Sequence, residues 1–139
     1  MPERYPFEYV LVRVVPRIER GECVNAGVIV VCRPRRFLAG RVTLDRSRVL
    51  ALEPGLPVET LNELERQLTL IPRIAAGDRS AGPIATLELG ERWHWLSAPS
   101  STMIQPSAVH TGLCADPQQE LDGLFAEMVE TSRILEQGR

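Results

Sequence analysis

Short apolar runs separated by polar turns make up the first third of the chain. The segment Phe7–Val15 is rich in β-branched residues and apolar in both alternating phases. Pro16 ends it, because proline has no N–H for a ladder hydrogen bond. Two further strands are predicted over Val24–Cys32 and Phe37–Leu44. Their connections are too short for a parallel crossover, so the three strands must be antiparallel.

A helix is predicted in the middle of the chain from an apolar stripe at three- and four-residue steps: Leu61, Leu64, Leu68 and Ile71. It begins either at a capping box of Thr60 with Glu63 or with Pro57 as its first residue, and Pro72 kinks or ends it. Beyond it, Trp93–Leu96 is interpreted as a short strand that places both tryptophans on one face and His94 on the other. An extended segment is expected near Met103–Gln105.

The last predicted helix has the clearest start. Asp116 is its expected cap, Pro117 its first residue, and Gln119 completes a D-x-x-Q box. Its core face comprises Leu121, Leu124, Phe125, Met128 and Val129, with Leu135 beyond. The pattern therefore predicts a single α+β domain over residues 1–139, with two layers: a mainly antiparallel sheet of about five strands and two amphipathic helices packed on it.

Composition excludes several chemistries. The chain has 139 residues, 44% of them hydrophobic and 24% charged, which is typical of one globular domain. All 16 basic residues are Arg, so Schiff-base and phosphate-loop lysines are absent. There is no apolar membrane segment and no signal segment at the N-terminus, so we expect a cytoplasmic protein without membrane contact. The three cysteines lack CxxC spacing, and we expect no disulfide framework, metal site or cofactor.

Charge is unevenly distributed along the chain. Residues 1–48 hold ten Arg and five acidic residues, a balance of +5, and residues 49–139 hold six Arg and thirteen, a balance of -7. The densest stretch, Arg33–Arg48, is a candidate for binding nucleic acid. The interpretation we favour is that the two halves neutralise each other in the fold.

Two polar segments interrupt this apolar pattern. The first contains Arg13, Arg17, Arg20, Glu22 and Asn25; a hairpin that turns about Glu19 would place Arg13 opposite Asn25. The second contains hydroxyl, amide and imidazole groups: Ser100, Ser101, Thr102, Gln105, Ser107, His110 and Thr111. Each has an ordinary structural interpretation: Arg13 paired inside the fold, and hydroxyls that satisfy the backbone of a long loop.

Two stretches also resemble a known family. The motifs RGE-x-x-N-x-G (Arg20–Gly27) and S-T-x-I-Q-P-S-x-x-H-T-G-L (Ser101–Leu113) resemble those of a bacterial domain-of-unknown-function family. The likeness extends from about residue 7 to about residue 125. Members are small proteins often encoded beside HipA-like kinases, so the resemblance implies a kinase-like partner. It implies no catalytic residue.

Our leading hypothesis is an accessory or binding protein that recognises an anionic small molecule or a HipA-like kinase partner through one polar pocket. The residues expected to line it are Arg13, Arg17, Arg20, Asn25, Ser101, Thr102, Gln105, Ser107, His110 and Thr111. The alternative is a small hydrolase or transferase with His110 as acid/base and Glu22 as its orienting partner. Nucleic-acid binding through Arg33–Arg48 ranks third, because the chain as a whole is acidic.

Overall fold

The computed structural model describes residues 3–130, which form one sheet with helices around it. The strands are β1 (Tyr5–Val14), β2 (Val24–Cys32), β3 (Phe37–Val42), β4 (Ile104–Pro106) and β5 (His110–Cys114). The α-helices are α1 (Arg46–Leu52), α2 (Val58–Ala75), α3 (Leu89–Ser97) and α4 (Pro117–Met128). The predicted α+β class and the antiparallel sheet of five strands are confirmed.

Strand β1 lies in the middle of the sheet. The strand order is β3-β2-β1-β4, and β5 pairs with β1 on the same side as β4. The short strand β4 pairs with Val12–Val14, whereas β5 pairs with the opposite end of β1 through Tyr5–Tyr9. The connection between β4 and β5, residues 107–109, therefore runs beside the middle of β1.

Helices pack on both faces of the sheet. Val10, Val12 and Val14 of β1 pack in a cluster with the leucines of α2, whereas Phe7 belongs to a second cluster with Leu121 and other residues of α4. Almost every position of β2 is apolar, and such a strand is stable when both of its faces are covered. The helices thus form two layers, one on each face, where the sequence analysis expected a single helical layer.

The predicted strand over Trp93–Leu96 is wrong, because these residues lie in the helix α3. Trp93 is 2% exposed and Trp95 is 52% exposed, so the two rings do not share a face. Leu89, Trp93 and Leu96 recur at a helical spacing, and Trp93 and Leu96 are buried. A window of four residues was too short to distinguish this period from the two-residue period of a strand.

Helix boundaries agree largely with the local signals. Pro57 is the N-cap of α2, no side-chain cap forms there, and the helix continues through Pro72 to Ala75. The side chain of Asp116 caps α4 by accepting the Gln118 N–H at 3.0 Å, as predicted. The predicted core position Leu135 lies outside the described residues. None of the described helices is long and apolar enough to cross a membrane.

Candidate functional site

The register of the sheet brings the two polar segments together. Arg13 of β1 lies opposite Asn25 of β2, as predicted, and opposite Gln105 of β4 on its other side. Directly opposed residues of an antiparallel ladder point to the same face. These three polar side chains therefore form a row across the sheet. The row lies on the same face as α4, which packs against β2 and β3.

The two amides in this row already have hydrogen-bond partners. The Asn25 Nδ2 donates to the main-chain oxygen of Met128 at 3.0 Å, where α4 ends. The Gln105 Nε2 donates to the main-chain oxygen of Thr102 at 2.8 Å. These bonds hold the amides in place on either side of Arg13, and their side-chain oxygens accept no hydrogen bond from residues 3–130.

Arg13 itself is half-buried and forms no side-chain hydrogen bond or ion pair with any described residue. Charged side chains inside proteins are usually paired, so a half-buried arginine without a counter-ion among its neighbours is an uncommon arrangement. Its guanidinium carries five N–H donors in a fork that matches a carboxylate or phosphate group. Arg13 is therefore the side chain in the row that is best prepared to bind an anion.

His110 extends the row along the same face. It lies opposite Tyr9, and the two rings stack with centroids 5.0 Å apart. Tyr9 and Arg13 are four residues apart on β1, so both point to one face about 13 Å from each other. We name Arg13, Asn25, Gln105 and His110 the polar strip; it is an open surface, and His110 is exposed.

Other predicted site residues lie away from the polar strip. Arg17 and Arg20 are exposed in the turn between β1 and β2 and form ion pairs with Glu19 at 2.9 Å and Glu22 at 2.8 Å. The hydrogen bond from Arg17 lowers the pKa of the Glu19 carboxyl below its usual value. Thr111 lies beside His110 on β5, and its side chain points to the opposite face.

The hydroxyl-rich loop mostly satisfies its own backbone. The Thr102 hydroxyl donates to the main-chain oxygen of Ile104 at 2.9 Å and lies 2.9 Å from the Ser100 hydroxyl. Ser107 is buried, and its Oγ accepts the main-chain N–H of Leu11 at 2.8 Å. Ser101 is exposed at the start of this loop. The hydroxyls of Thr102 and Ser107 thus support the strands beside the polar strip.

The geometry needed for acid–base catalysis by His110 and Glu22 is not formed. Glu22 lies beyond Val24, which pairs with Val14 at one end of β1, whereas His110 pairs with Tyr9. Five residues of strand separate these positions by about 17 Å, and proton transfer needs hydrogen-bond distance. The Glu22 carboxylate forms an ion pair with Arg20 instead.

The buried thiol of Cys114 is not an activated nucleophile. Cys114 and Cys32 are buried, and burial together with the neighbouring Cys32 thiol raises the pKa of Cys114 to about 11. Cys114 is therefore a protonated, weakly nucleophilic thiol at neutral pH. Within residues 3–130, no cluster of three or more His, Cys, Asp or Glu side chains is arranged to hold a metal ion.

Several arginines of the segment Arg33–Arg48 have acidic or aromatic partners. Arg33 pairs with Glu8 at 2.6 Å, Arg41 with Asp122 at 3.2 Å, and Arg46 with Glu65 at 2.8 Å. Arg41 also lies over a phenylalanine ring of α4, and Arg35 lies over a tyrosine ring of β1. Two of these acids belong to the acidic part of the chain, which supports mutual neutralisation within the fold.

One groove escaped the sequence analysis. It lies between α2, α3 and β4, has a volume of about 470 Å³, and is lined mainly by apolar residues that include Ile71, Trp95 and Ile104. The groove is on the sheet face opposite the polar strip, because it adjoins the cluster of Val12 and Val14. The helical spacing of Leu89, Trp93 and Leu96 was the sequence signal that could have identified α3, which forms one wall of this groove.

The fold and the polar strip together define an α+β protein with an open polar surface on its sheet and no assembled catalytic set among residues 3–130. Residues 9–129 match the family described as protein of unknown function (DUF3037), and the chain belongs to that family. No curated protein and no solved structure matches the chain.

Proposed function

We propose that this protein is an accessory binding protein whose polar strip recognises an anionic group. The observation that carries the proposal is the half-buried residue Arg13, which has no counter-ion among the described residues and stands between two anchored amides. A carboxylate or phosphate would accept a bidentate pair of hydrogen bonds from its guanidinium.

The other members of the polar strip have supporting roles in this proposal. The free oxygens of Asn25 and Gln105 would accept hydrogen bonds from N–H or O–H groups next to the anion. His110 would contact a more distant part of the same partner, since it lies about 13 Å along the strand from Arg13. An extended segment of a protein matches this length better than a small ion does.

A HipA-like kinase is the partner that the family resemblance suggests, because members of that family are often encoded beside such kinases. In this proposal a segment of the kinase-like protein presents the anionic group to Arg13. Electrostatic recognition of this kind gives specificity and a faster encounter more than it gives raw affinity. We therefore expect complex formation to weaken as the salt concentration rises.

The first test is an NMR titration of the full chain with inorganic phosphate and, separately, with acetate, while sodium chloride keeps the ionic strength constant. We expect the Arg13 side-chain N–H signals to shift and to saturate, and the Arg13→Gln variant to lose the response. Arg79→Gln is the matched control, because Arg79 is exposed and forms no side-chain hydrogen bond or ion pair with residues 3–130. Equal responses from both variants would refute a site at Arg13.

The second test is copurification of the full chain with a HipA-like kinase from the same genome. Wild type and Arg79→Gln should retain the kinase-like protein, and Arg13→Gln should retain at least about tenfold less, the loss expected when a paired charge is removed. Absence of a complex with wild type at micromolar concentrations would contradict the kinase-like partner. The anion titration would then decide separately whether the polar strip binds anions.

A further inference from the structure

No strand among residues 3–130 pairs with β5 on the side away from β1. The N–H and C=O of Leu11 both bond to Ser107, so alternate residues of β1 direct their backbone groups towards the β4–β5 side. His110 and Gly112 lie opposite two residues of this set, Tyr9 and Phe7. Their backbone N–H and C=O groups therefore point towards β1. The backbone groups of Thr111 and Leu113 therefore point away from β1, along the open edge.

This edge lacks the charged side chains, prolines and bulges that often prevent pairing with another strand. The segment His110–Cys114 contains no Arg, acidic residue or proline, and its pairing with β1 has no bulge. Val109 is 44% exposed and Leu113 is 60% exposed, with the exposed Thr111 between them. At the opposite edge of the sheet, β3 carries the charged side chain of Arg41.

We infer that a second copy of this chain pairs its β5 with β5 in antiparallel orientation, about a two-fold axis at Thr111. In this register Thr111 faces its own counterpart, and Leu113 faces Val109 of the second copy. The two exposed apolar side chains of each copy thus meet, which is the self-complementarity that an isologous interface requires. The result is one continuous sheet of ten strands from two copies.

Charge around the edge also favours a second copy. A groove of about 520 Å³ adjoins β5, and its charged side chains, Glu8 and Arg33, already form an ion pair at 2.6 Å. The groove wall also contains Val31 and Pro34, so it presents apolar surface and a neutralised charge pair. Neither β5 carries an Arg, Asp or Glu side chain, so no such like charges meet in this register. The interface involves a short strand, so we expect association that depends on concentration.

The test is sedimentation equilibrium of the full chain, whose monomer has a mass of 15.5 kDa, over a wide concentration range. Wild type should form a dimer. Thr111→Lys and Thr111→Glu should each raise the dimer dissociation constant at least about tenfold, because the pairing sets two like charges opposite each other. Mixing the two variants should restore dimers by pairing Lys with Glu.

Thr69→Lys and Thr69→Glu are the matched controls, since Thr69 is exposed on α2 and its hydroxyl bonds only within that helix. Hydrogen exchange of wild type is a second measurement that needs no variant: the amides of Thr111 and Leu113 should exchange more slowly as concentration rises. A wild type that stays at 15.5 kDa at all concentrations would overturn the inference. A dimer that neither Thr111 variant weakens would also overturn it.

Discussion

Replacement of Ser107 by alanine tests how the broken edge between β4 and β5 is held. Ser107 is 9% exposed, and its Oγ accepts the Leu11 N–H at 2.8 Å and donates to the Ala108 carbonyl at 2.9 Å. The Ser107 main-chain N–H donates to the Leu11 carbonyl at 2.8 Å. Ser107 therefore bonds both backbone groups of Leu11, at the point where the ladder along β1 is interrupted. Ser107→Ala would leave the Leu11 N–H without this acceptor.

The expected loss follows from the burial of that amide. An unsatisfied buried donor costs about 1–3 kcal/mol, and Leu11 is half-buried, so we expect Ser107→Ala to lower the free energy of unfolding by about 1–2 kcal/mol. Urea unfolding followed by tryptophan fluorescence measures it, and the slope against urea should not change. Ser101→Ala is the control and should stay within about 0.5 kcal/mol of wild type, because Ser101 is exposed.

The reasoning would be refuted if Ser107→Ala unfolded at the same urea concentration as Ser101→Ala. That result would mean that water or a shifted backbone group replaces the hydroxyl without cost. Ser107 would then be free for the ligand-binding role that the sequence analysis assigned to it.

Three further measurements test other contacts. Gly27→Ala should lower the free energy of unfolding by about 1–3 kcal/mol, because its Cβ would lie 2.7 Å from a main-chain oxygen of β3. Arg92→Met should lower it by about 1–2 kcal/mol, since the Arg92 Nη1 donates to a main-chain oxygen at 2.7 Å. The pKa of Asp78 is lowered from 3.8 to about 2 by hydrogen bonds from Ser80 and Arg73. The stability that it contributes should therefore be complete above about pH 4 and lost as the pH falls through 2, and carboxyl NMR titration measures the pKa.

Each of these measurements has a control. Gly123→Ala in α4 should not destabilise the protein, because its Cβ would meet no atom within 4 Å and alanine favours a helix. Arg92→Lys should lose less stability than Arg92→Met, since it keeps a donor. Asp78→Asn should remove the pH-dependent contribution of this residue. An Asp78 carboxyl that titrates at its usual pKa in the folded protein would contradict the ion pair with Arg73.

The helices show where local patterns suffice and where they do not. The cap at Asp116 and the apolar stripe of α2 are local signals, and the structure contains both. Helix α3 was missed because its pattern was considered over Trp93–Leu96, whereas the helical spacing is clear only from Leu89 onward. Helix α1 was not predicted, because it has only seven residues and its one local signal is the cap at Asp45.

The polar strip could be predicted only in part. The pairing of Arg13 with Asn25 followed from a short hairpin, because a connection of that length constrains the register. The places of Gln105 and His110 could not be derived, since they depend on strands almost a hundred residues away from β1. The hydrogen bond between Leu11 and Ser107 spans 96 residues. The stacking of His110 on Tyr9 is a consequence of that long-range register.

The sequence alone therefore determined the elements whose signals lie within a few residues: three antiparallel strands, two amphipathic helices and the caps and prolines that bound them. Among residues 3–130, the tertiary structure decided that Arg13 lies half-buried without a counter-ion, which hydroxyls support the backbone and which edge of the sheet is unpaired. The physical reason is that partners distant in sequence decide these properties. A side chain acquires a counter-ion, or lacks one, only when the register of every neighbouring strand is set.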